Sequence, residues 1–219
     1  MTETPAQAPK APKRRASEAA SSPSAGAGLP TTKRGRDTRE AILRAAEEVI
    51  GAKGYSASGI IDITRAAGIA QGTFYIYFDG KEAVFRTLVA DMGRYTRRTL
   101  SEAVAGAKDR LEAERLGLRA FLEIAATRPT LYSIVEEARF VAPEAYDAYF
   151  TSFAQSYIRN LEAAAREGTI RPGNAEIRAW ALMGLAVTLG ERYGQRNPGA
   201  DRDQVVAEVF DMLERGLRP

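Results

Sequence analysis

Helical periodicity runs through this chain from about residue 37 onward, and it restricts the fold more than any other feature. Apolar residues recur three and four positions apart, beginning with Ile42, Ala45, Ala46 and Val49. Prolines and glycines interrupt the pattern where helices would end, and no segment alternates apolar and polar residues as a strand does. The sequence therefore predicts an all-α protein. After the N-terminal region, helices are predicted over Arg110–Thr127, Thr130–Phe140, Glu144–Glu167, Ala175–Tyr193 and Asp201–Leu217.

Residues 1–36 differ from the rest of the chain. They are rich in Ala, Pro, Ser and Gly, and they have no periodic apolar face whose burial would offset the entropy of ordering. We expect a disordered, basic tail, with the first helix beginning at Asp37. Because basic segments next to a folded domain often contact polyanions, Lys33, Arg34 and Arg36 are candidate DNA contacts.

Composition excludes much enzyme chemistry. The chain has no Cys and no His, so disulfides, thiolate nucleophiles, Cys/His metal sites and imidazole acid–base catalysis are absent. The N-terminus lacks the continuous apolar segment of a signal peptide, and nowhere do about 18 apolar residues run together as a membrane span requires. These features predict a cytoplasmic protein with no membrane partner, no metal site, no cofactor and no catalytic residues.

The most informative stretch is Ile63–Phe78, where two short helical patterns meet at Gly68. Glycine accepts the left-handed backbone that such a tight turn needs. We expect a second helix from an N-cap at Ser58 to Ala67, and a third from about Ala70 to Phe78. At 100° per residue, Phe74 and Phe78 share one face of the third helix.

The opposite face of this third helix carries groups suited to DNA. An amide can bond base edges, hydroxyl groups can bond phosphates or bases, a glycine allows close backbone approach, and Ile76 can touch a thymine methyl. The candidate polar contacts on this face are Gln71, Gly72, Thr73, Tyr75 and Tyr77. A purely structural reading, in which the aromatic residues only form a core, remains open for the isolated helix.

The order of these residues resembles the tetracycline-repressor (TetR) family over residues 38–89. The matching positions are Gly54-Tyr55, Ser58, Asp62-Ile63, Ala67-Gly68-Ile69, Gly72-Thr73-Phe74-Tyr75, Tyr77-Phe78 and Lys81-Glu82. The resemblance implies a three-helix DNA-binding domain over residues 37–85 and a helical effector-binding and dimerisation domain over residues 86–219. It also adds Ser58 and Lys81 to the expected DNA contacts. Ala70 departs from the family's Ser or Thr cap.

The resemblance also implies a homodimer that binds a palindromic operator, is formed through residues 175–217, and is released by a small organic effector. An aromatic run in the middle helices is the expected pocket, suited to an acyl or aromatic compound such as a thioester. Its candidate residues are Phe121, Tyr132, Arg139, Tyr146, Phe150, Phe153 and Trp180. For each one, a role as an ordinary core residue stays open.

Two other classes of function are alternatives to an effector-controlled repressor. A DNA-binding protein of the same fold could be controlled by a protein partner and bind no small ligand. An enzyme would need a carboxylate pair, but the acidic residues lie in patterns typical of solvated helix faces.

Overall fold

The structure of this protein is a computed structural model that describes residues 30–217. Within that range the chain is helical and contains no strand, which confirms the all-α prediction. The helices are α1 Lys33–Lys53, α2 Ile60–Ala67, α3 Gln71–Tyr77, α4 Lys81–Val104, α5 Arg110–Thr127, α6 Pro129–Val141, α7 Pro143–Arg166, α8 Ala175–Leu189 and α9 Arg202–Leu217, with a π-helical turn Gly190–Gln195 after α8. We call α1–α3, residues 33–77, the head, and α4–α9, residues 81–217, the body.

Proline and glycine set several of the helix boundaries. Pro129 and Pro143 occupy the first positions of α6 and α7, where a missing N–H costs no helical bond. Gly54 ends α1 at φ 79° and Gly68 ends α2 at φ 66°, both in the backbone region that favours glycine. The predicted turn at Gly68 is confirmed.

The start of α1 differs from the prediction. The helix begins at Lys33 rather than Asp37, and the Gly35 N–H donates to the Thr32 Oγ1 at 3.1 Å as an N-cap bond. The basic residues from Lys33 to Arg36 are therefore the first turn of α1, and assigning them to a disordered tail was wrong. The remainder of the predicted tail, residues 1–29, lies outside the described residues.

The start of α2 also differs, because Gly59 rather than Ser58 is its N-cap. The Asp62 carboxylate accepts the Gly59 N–H at 3.0 Å, which satisfies a donor that the helix leaves free. That backbone hydrogen bond, followed by the nearby Lys53 ammonium, lowers the pKa of the Asp62 carboxyl. Ser58 therefore does not cap α2, and its side chain is buried in the loop before this helix.

One hydrophobic core joins the head to the body. Ile42, Ile63 and Phe74 from the head have no exposed surface, and they belong to the same cluster as Ile134 and Ala138 of α6. The predicted division between residues 85 and 86 falls between buried members of this cluster. Two further clusters lie entirely within the body, where α5 packs against α7, α8 and α9.

The π-helical turn lies against α5 at very short range. A Cβ on Gly190 would lie 2.8 Å from a ring carbon of Phe121, and a Cβ on Gly194 would lie 2.6 Å from the Ala125 Cβ. Both positions therefore need glycine. No helix in the described part of the chain is both long and apolar enough to cross a membrane.

Candidate nucleic-acid interface and internal cavity

The inner face of α3 holds this helix against the head. Phe74 is fully buried and Phe78 is nearly so, and their ring centroids are 6.0 Å apart. The tight turn from α2 is closed by a hydrogen bond from the Ile69 N–H to the Thr64 carbonyl at 3.0 Å. The two short helices therefore have a fixed relative orientation, as a helix-turn-helix requires.

The outer face of α3 is open to solvent. Gln71 and Gly72 are exposed, while Tyr75 is 49% exposed and Ile76 is 67% exposed. Thr73 is partly buried. Ile76 and Tyr75 are therefore accessible to a partner on this face. Ala70 gives α3 no side-chain cap, as the sequence predicts.

The first turn of α1 lies beside the end of α3. Gly35 is buried there, and a Cβ at Gly35 would lie 3.6 Å from the Tyr77 hydroxyl oxygen. Lys33, Arg34 and Arg36 are exposed on this same turn. The three basic residues are therefore close to the outward face of α3, although they reach it from a helix and not from a tail.

Two predicted DNA contacts point inward instead. Ser58 is only 4% exposed, and its hydroxyl donates to the Gly54 carbonyl at 2.6 Å. The Lys81 ammonium donates to the carbonyls of Tyr55 and Ser58 at 2.7 and 2.8 Å, and it lies 3.9 Å from the centroid of the Tyr55 ring. Both side chains brace the loop between α1 and α2, and their assignment to DNA stays a prediction.

The body holds an internal cavity of about 400 Å³. Its wall comes from α4, α5, α7 and α8, with one residue from α9, and it is mostly apolar. Among the predicted effector residues, Phe121, Phe150 and Phe153 line it.

The other predicted effector residues lie outside the cavity wall. Tyr132 is buried, and its hydroxyl donates to the Val187 carbonyl at 2.7 Å, so it supports the wall from behind. That burial raises the pKa of Tyr132. Tyr146 packs on Phe150 at a centroid distance of 4.7 Å without reaching the cavity.

Arg139 and Trp180 were wrongly assigned for a different reason. Arg139 is exposed near the end of α6, where water solvates its charge. Trp180 is 45% exposed on the outer side of α8. The sequence did not predict the other residues that line the cavity, because they come from helices far apart along the chain.

A buried polar cluster forms one part of the cavity wall. Arg110 donates from its Nε to the Glu114 Oε1 at 2.7 Å, and the Tyr157 hydroxyl donates to the Glu114 Oε2. Glu114 is only 4% exposed, and this burial raises the pKa of its carboxyl despite the adjacent Arg110. Burial likewise raises the pKa of the Tyr157 hydroxyl. Only the four-residue spacing of Arg110 and Glu114 signalled a pair in the sequence.

The body is also bonded directly to the head. Both oxygens of the Glu137 carboxylate, on α6, accept the Tyr55 N–H, at 2.8 and 2.9 Å. Arg128, just before α6, donates to the Glu47 carboxylate of α1 at 2.9 Å. A movement of α6 would therefore displace the loop that precedes the helix-turn-helix.

A helix-turn-helix with a polar, solvent-facing second helix and a basic turn beside it defines a DNA-binding protein. The family model for bacterial regulatory proteins of the tetR family matches residues 42–88, which include α2, α3 and the start of α4. The chain belongs to the TetR family and is a sequence-specific DNA-binding transcriptional regulator.

Relatives and solved structures agree with this assignment. The chain is 27% identical over 197 residues to the uncharacterised HTH-type transcriptional regulator YdgC of Bacillus subtilis, covering 85% of this chain and 95% of YdgC. A TetR-family regulator from Pectobacterium atrosepticum has a similar structure, with a TM-score of 0.68 and 24% identity, covering 85% of this chain and 97% of that one. FadR from Bacillus subtilis, solved in complex with stearoyl-CoA, has a TM-score of 0.69 and 21% identity over 80% of this chain and 96% of its own. The two structural likenesses show the fold.

Proposed function

We propose that this regulator is a repressor, held on a palindromic operator as a homodimer and released when a small organic effector enters the cavity. The observation that supports this proposal is the path of α4. Its first turn braces the head through Lys81, and its last turns line the cavity through Arg97, Leu100 and Val104. A continuous helix of this length can transmit a shift at one end to the other, so α4 links the cavity mechanically to the head.

The DNA contacts that we propose are those that face solvent on α3 and on the first turn of α1. Gln71 and Thr73 are suited to base edges or phosphates, Gly72 to close backbone approach, and the Tyr75 hydroxyl to a phosphate. Tyr77, the last residue of α3, is included because its hydroxyl lies beside the first turn of α1. The proposed phosphate contacts from α1 are Lys33, Arg34 and Arg36.

Dimerisation is proposed through residues 175–217. An exposed stripe of apolar or small residues follows one side of α8 at helical spacing, and it comprises Ile177, Trp180, Ala181, Gly184 and Thr188. A Cβ at Gly184 would meet no atom within 4 Å, so a second helix can approach closely there. In a two-fold dimer, the two α3 helices would need a separation of about 34 Å to enter successive major grooves.

The cavity supports an organic effector with an acyl chain or an aromatic ring, thioesters included. Its volume falls within the range of small-molecule sites, and Phe121, Phe150 and Phe153 provide apolar walls. FadR, which shares the fold, was solved with stearoyl-CoA, a fatty-acyl thioester. Occupation of the cavity would favour a dimer whose α3 helices no longer match the groove spacing, which lowers operator affinity.

Selection from random DNA followed by a gel shift tests the DNA-binding part of this proposal. We expect a palindromic site to be enriched, and we expect its affinity to fall as salt rises, because phosphate contacts release counterions. Equal affinity for the selected DNA and for random DNA would contradict the proposal. Size-exclusion chromatography with light scattering tests the dimer, and Gly184→Arg should convert it to a monomer.

We further propose that the protein acts in the cytoplasm and is not an enzyme. Glu114, a carboxylate in the cavity wall, is already bonded to Arg110 and Tyr157. It is therefore occupied and not free to act as an acid or base.

A further inference from the structure

We propose that the cavity selects effectors with an anionic head group, and that Arg97 of α4 is the residue that pairs with this group. The inference rests on the proposed function and narrows its effector class. Carboxylates, sulfonates and phosphates share the required chemistry, since each presents oxygens to a guanidinium.

The charges of the cavity wall do not balance. Arg97, Arg110 and Glu114 line it, and Arg110 forms an ion pair with Glu114 at 2.7 Å with both side chains well buried. Within residues 30–217, no carboxylate lies within 4 Å of the Arg97 guanidinium. The wall therefore keeps one uncompensated positive charge, which is a costly arrangement in an apolar cavity unless water or an anion solvates it.

Arg97 is held in place by neutral groups. Its Nη1 donates to the Ser152 hydroxyl of α7 at 2.5 Å, and its guanidinium carbon lies 5.4 Å from the centroid of the Phe153 ring. A Cβ at Gly93 would lie 3.2 Å from Arg97 Nη1, so the glycine leaves space for the guanidinium. Of the five N–H donors of an arginine, hydrogen-bonded acceptors among the described residues account for one, the Ser152 hydroxyl, and the half-buried side chain lines the cavity with the rest unpaired.

Ligands of other charge fit the wall less well. A cation would meet the charges of Arg97 and Arg110, and Glu114, the one carboxylate among the described lining residues, is already paired with Arg110 and accepts a hydrogen bond from Tyr157. A neutral apolar ligand would expel water and leave the Arg97 charge without a partner. An apolar body with an anionic head group satisfies both the aromatic walls and the guanidinium.

A matched pair of fluorescent dyes tests this inference on the full-length protein. Anilinonaphthalene sulfonate carries a sulfonate, and N-phenylnaphthylamine is the same fluorophore without it. We expect the wild type to bind the sulfonate more tightly. Arg97→Met should weaken the sulfonate about tenfold and leave the neutral dye unchanged, since a charge-assisted hydrogen bond is removed. Arg97→Lys, which keeps the charge, should weaken the sulfonate less.

Two further variants serve as controls. Arg98→Met changes the neighbouring residue of α4, whose side chain is 72% exposed, and it should change neither affinity. Gly117→Leu fills the cavity wall where a Cβ would meet only Val104 at 3.6 Å, and it should weaken both dyes. Thermal unfolding of each variant without dye checks that the fold is kept.

Several outcomes would overturn the inference. These are equal affinity of the two dyes for the wild type, equal weakening of both with Arg97→Met, or no effect of Gly117→Leu on either. Operator release by decanoate and by decanol separates this failure from failure of the proposed function. If decanol releases DNA as well as decanoate, the anion inference fails and effector-controlled repression stands. If the dyes bind as expected but neither compound releases DNA, Arg97 keeps its assigned role while release by such effectors is contradicted.

Discussion

The outer face of α3 and the cavity wall of the body turn their polar side chains in opposite directions. On α3, Gln71 and Tyr75 face solvent, and no hydrogen bond joins their side-chain polar atoms to another described residue. In the cavity wall, Arg110, Glu114 and Tyr157 face inward and satisfy one another. The outer face of α3 thus keeps its side-chain hydrogen-bonding groups for a partner outside the molecule, while this polar cluster of the body stabilises the fold. Arg97 lies in the body, but like Gln71 and Tyr75 it keeps hydrogen-bonding groups that no described residue satisfies.

The largest expected effect separates the two faces of α3. Phe74→Ala should lower the free energy of unfolding by roughly 3–5 kcal/mol, because it removes a fully buried aromatic ring. Ile76→Ala, on the exposed face, should change stability by less than about 0.5 kcal/mol. Urea denaturation measures both. Equal destabilisation by the two changes would mean that α3 does not pack through the face that carries Phe74.

The buried cluster of the body comes next. Glu114→Gln should lower the free energy of unfolding by about 3 kcal/mol, because it leaves the Arg110 charge without its counterion in a buried site. Glu102→Gln, at an exposed carboxylate of α4, is the matched control and should change stability by less than about 0.5 kcal/mol. A stable Glu114→Gln protein would show that the cluster contributes little to the fold.

A third change removes a polar group of the head that we propose contacts DNA. Gln71→Ala should weaken binding to the selected operator by about tenfold, since one base contact contributes roughly 1–3 kcal/mol. Binding to random DNA should change little, so specificity falls. Gln155→Ala, at an exposed position of α7, is the control. If Gln71→Ala weakens both DNAs equally in a gel shift, the residue contacts phosphate rather than a base.

The smallest effect concerns the first turn of α1. Arg34→Ala should reduce the slope of log affinity against log salt by about 0.9 for each phosphate that the protein no longer neutralises. The selected operator and random DNA should be affected alike, because phosphates carry no sequence information. Arg44→Ala, further along α1 and also exposed, should leave the slope unchanged. An unchanged slope with Arg34→Ala would remove this turn from the interface.

The difference between local and long-range contacts explains which features could be predicted from the sequence. The helix-turn-helix depends on neighbours in sequence: Gly68 sets the turn, and the spacing of Phe74 and Phe78 sets the inner face. The bounds predicted for α5, Arg110–Thr127, agree with the structure, in which the Asp109 side chain caps the helix by accepting the Glu112 N–H. Local pattern was sufficient for these features.

Where partners come from distant helices, the pattern was insufficient. The direction of the Lys81 side chain depends on carbonyls more than twenty residues earlier in the chain. The pairing of Arg97 with Ser152 spans 55 residues, and that of Glu114 with Tyr157 spans 43. Periodicity shows which residues share a helix face, but not which helices meet.

The core shared by α1–α3 and α6 limits how the head can be exchanged between relatives. A chimaera made by joining the head of one protein to the body of another would bring together two surfaces that were never packed against each other. The mismatch would include the packing of α1, which carries Ile42, against α6, which carries Ile134 and Ala138, together with the Glu137 bond to Tyr55. Substitutions on the outer face of α3 leave this shared core unchanged, whereas transplanting the head would also require the inner face of α6.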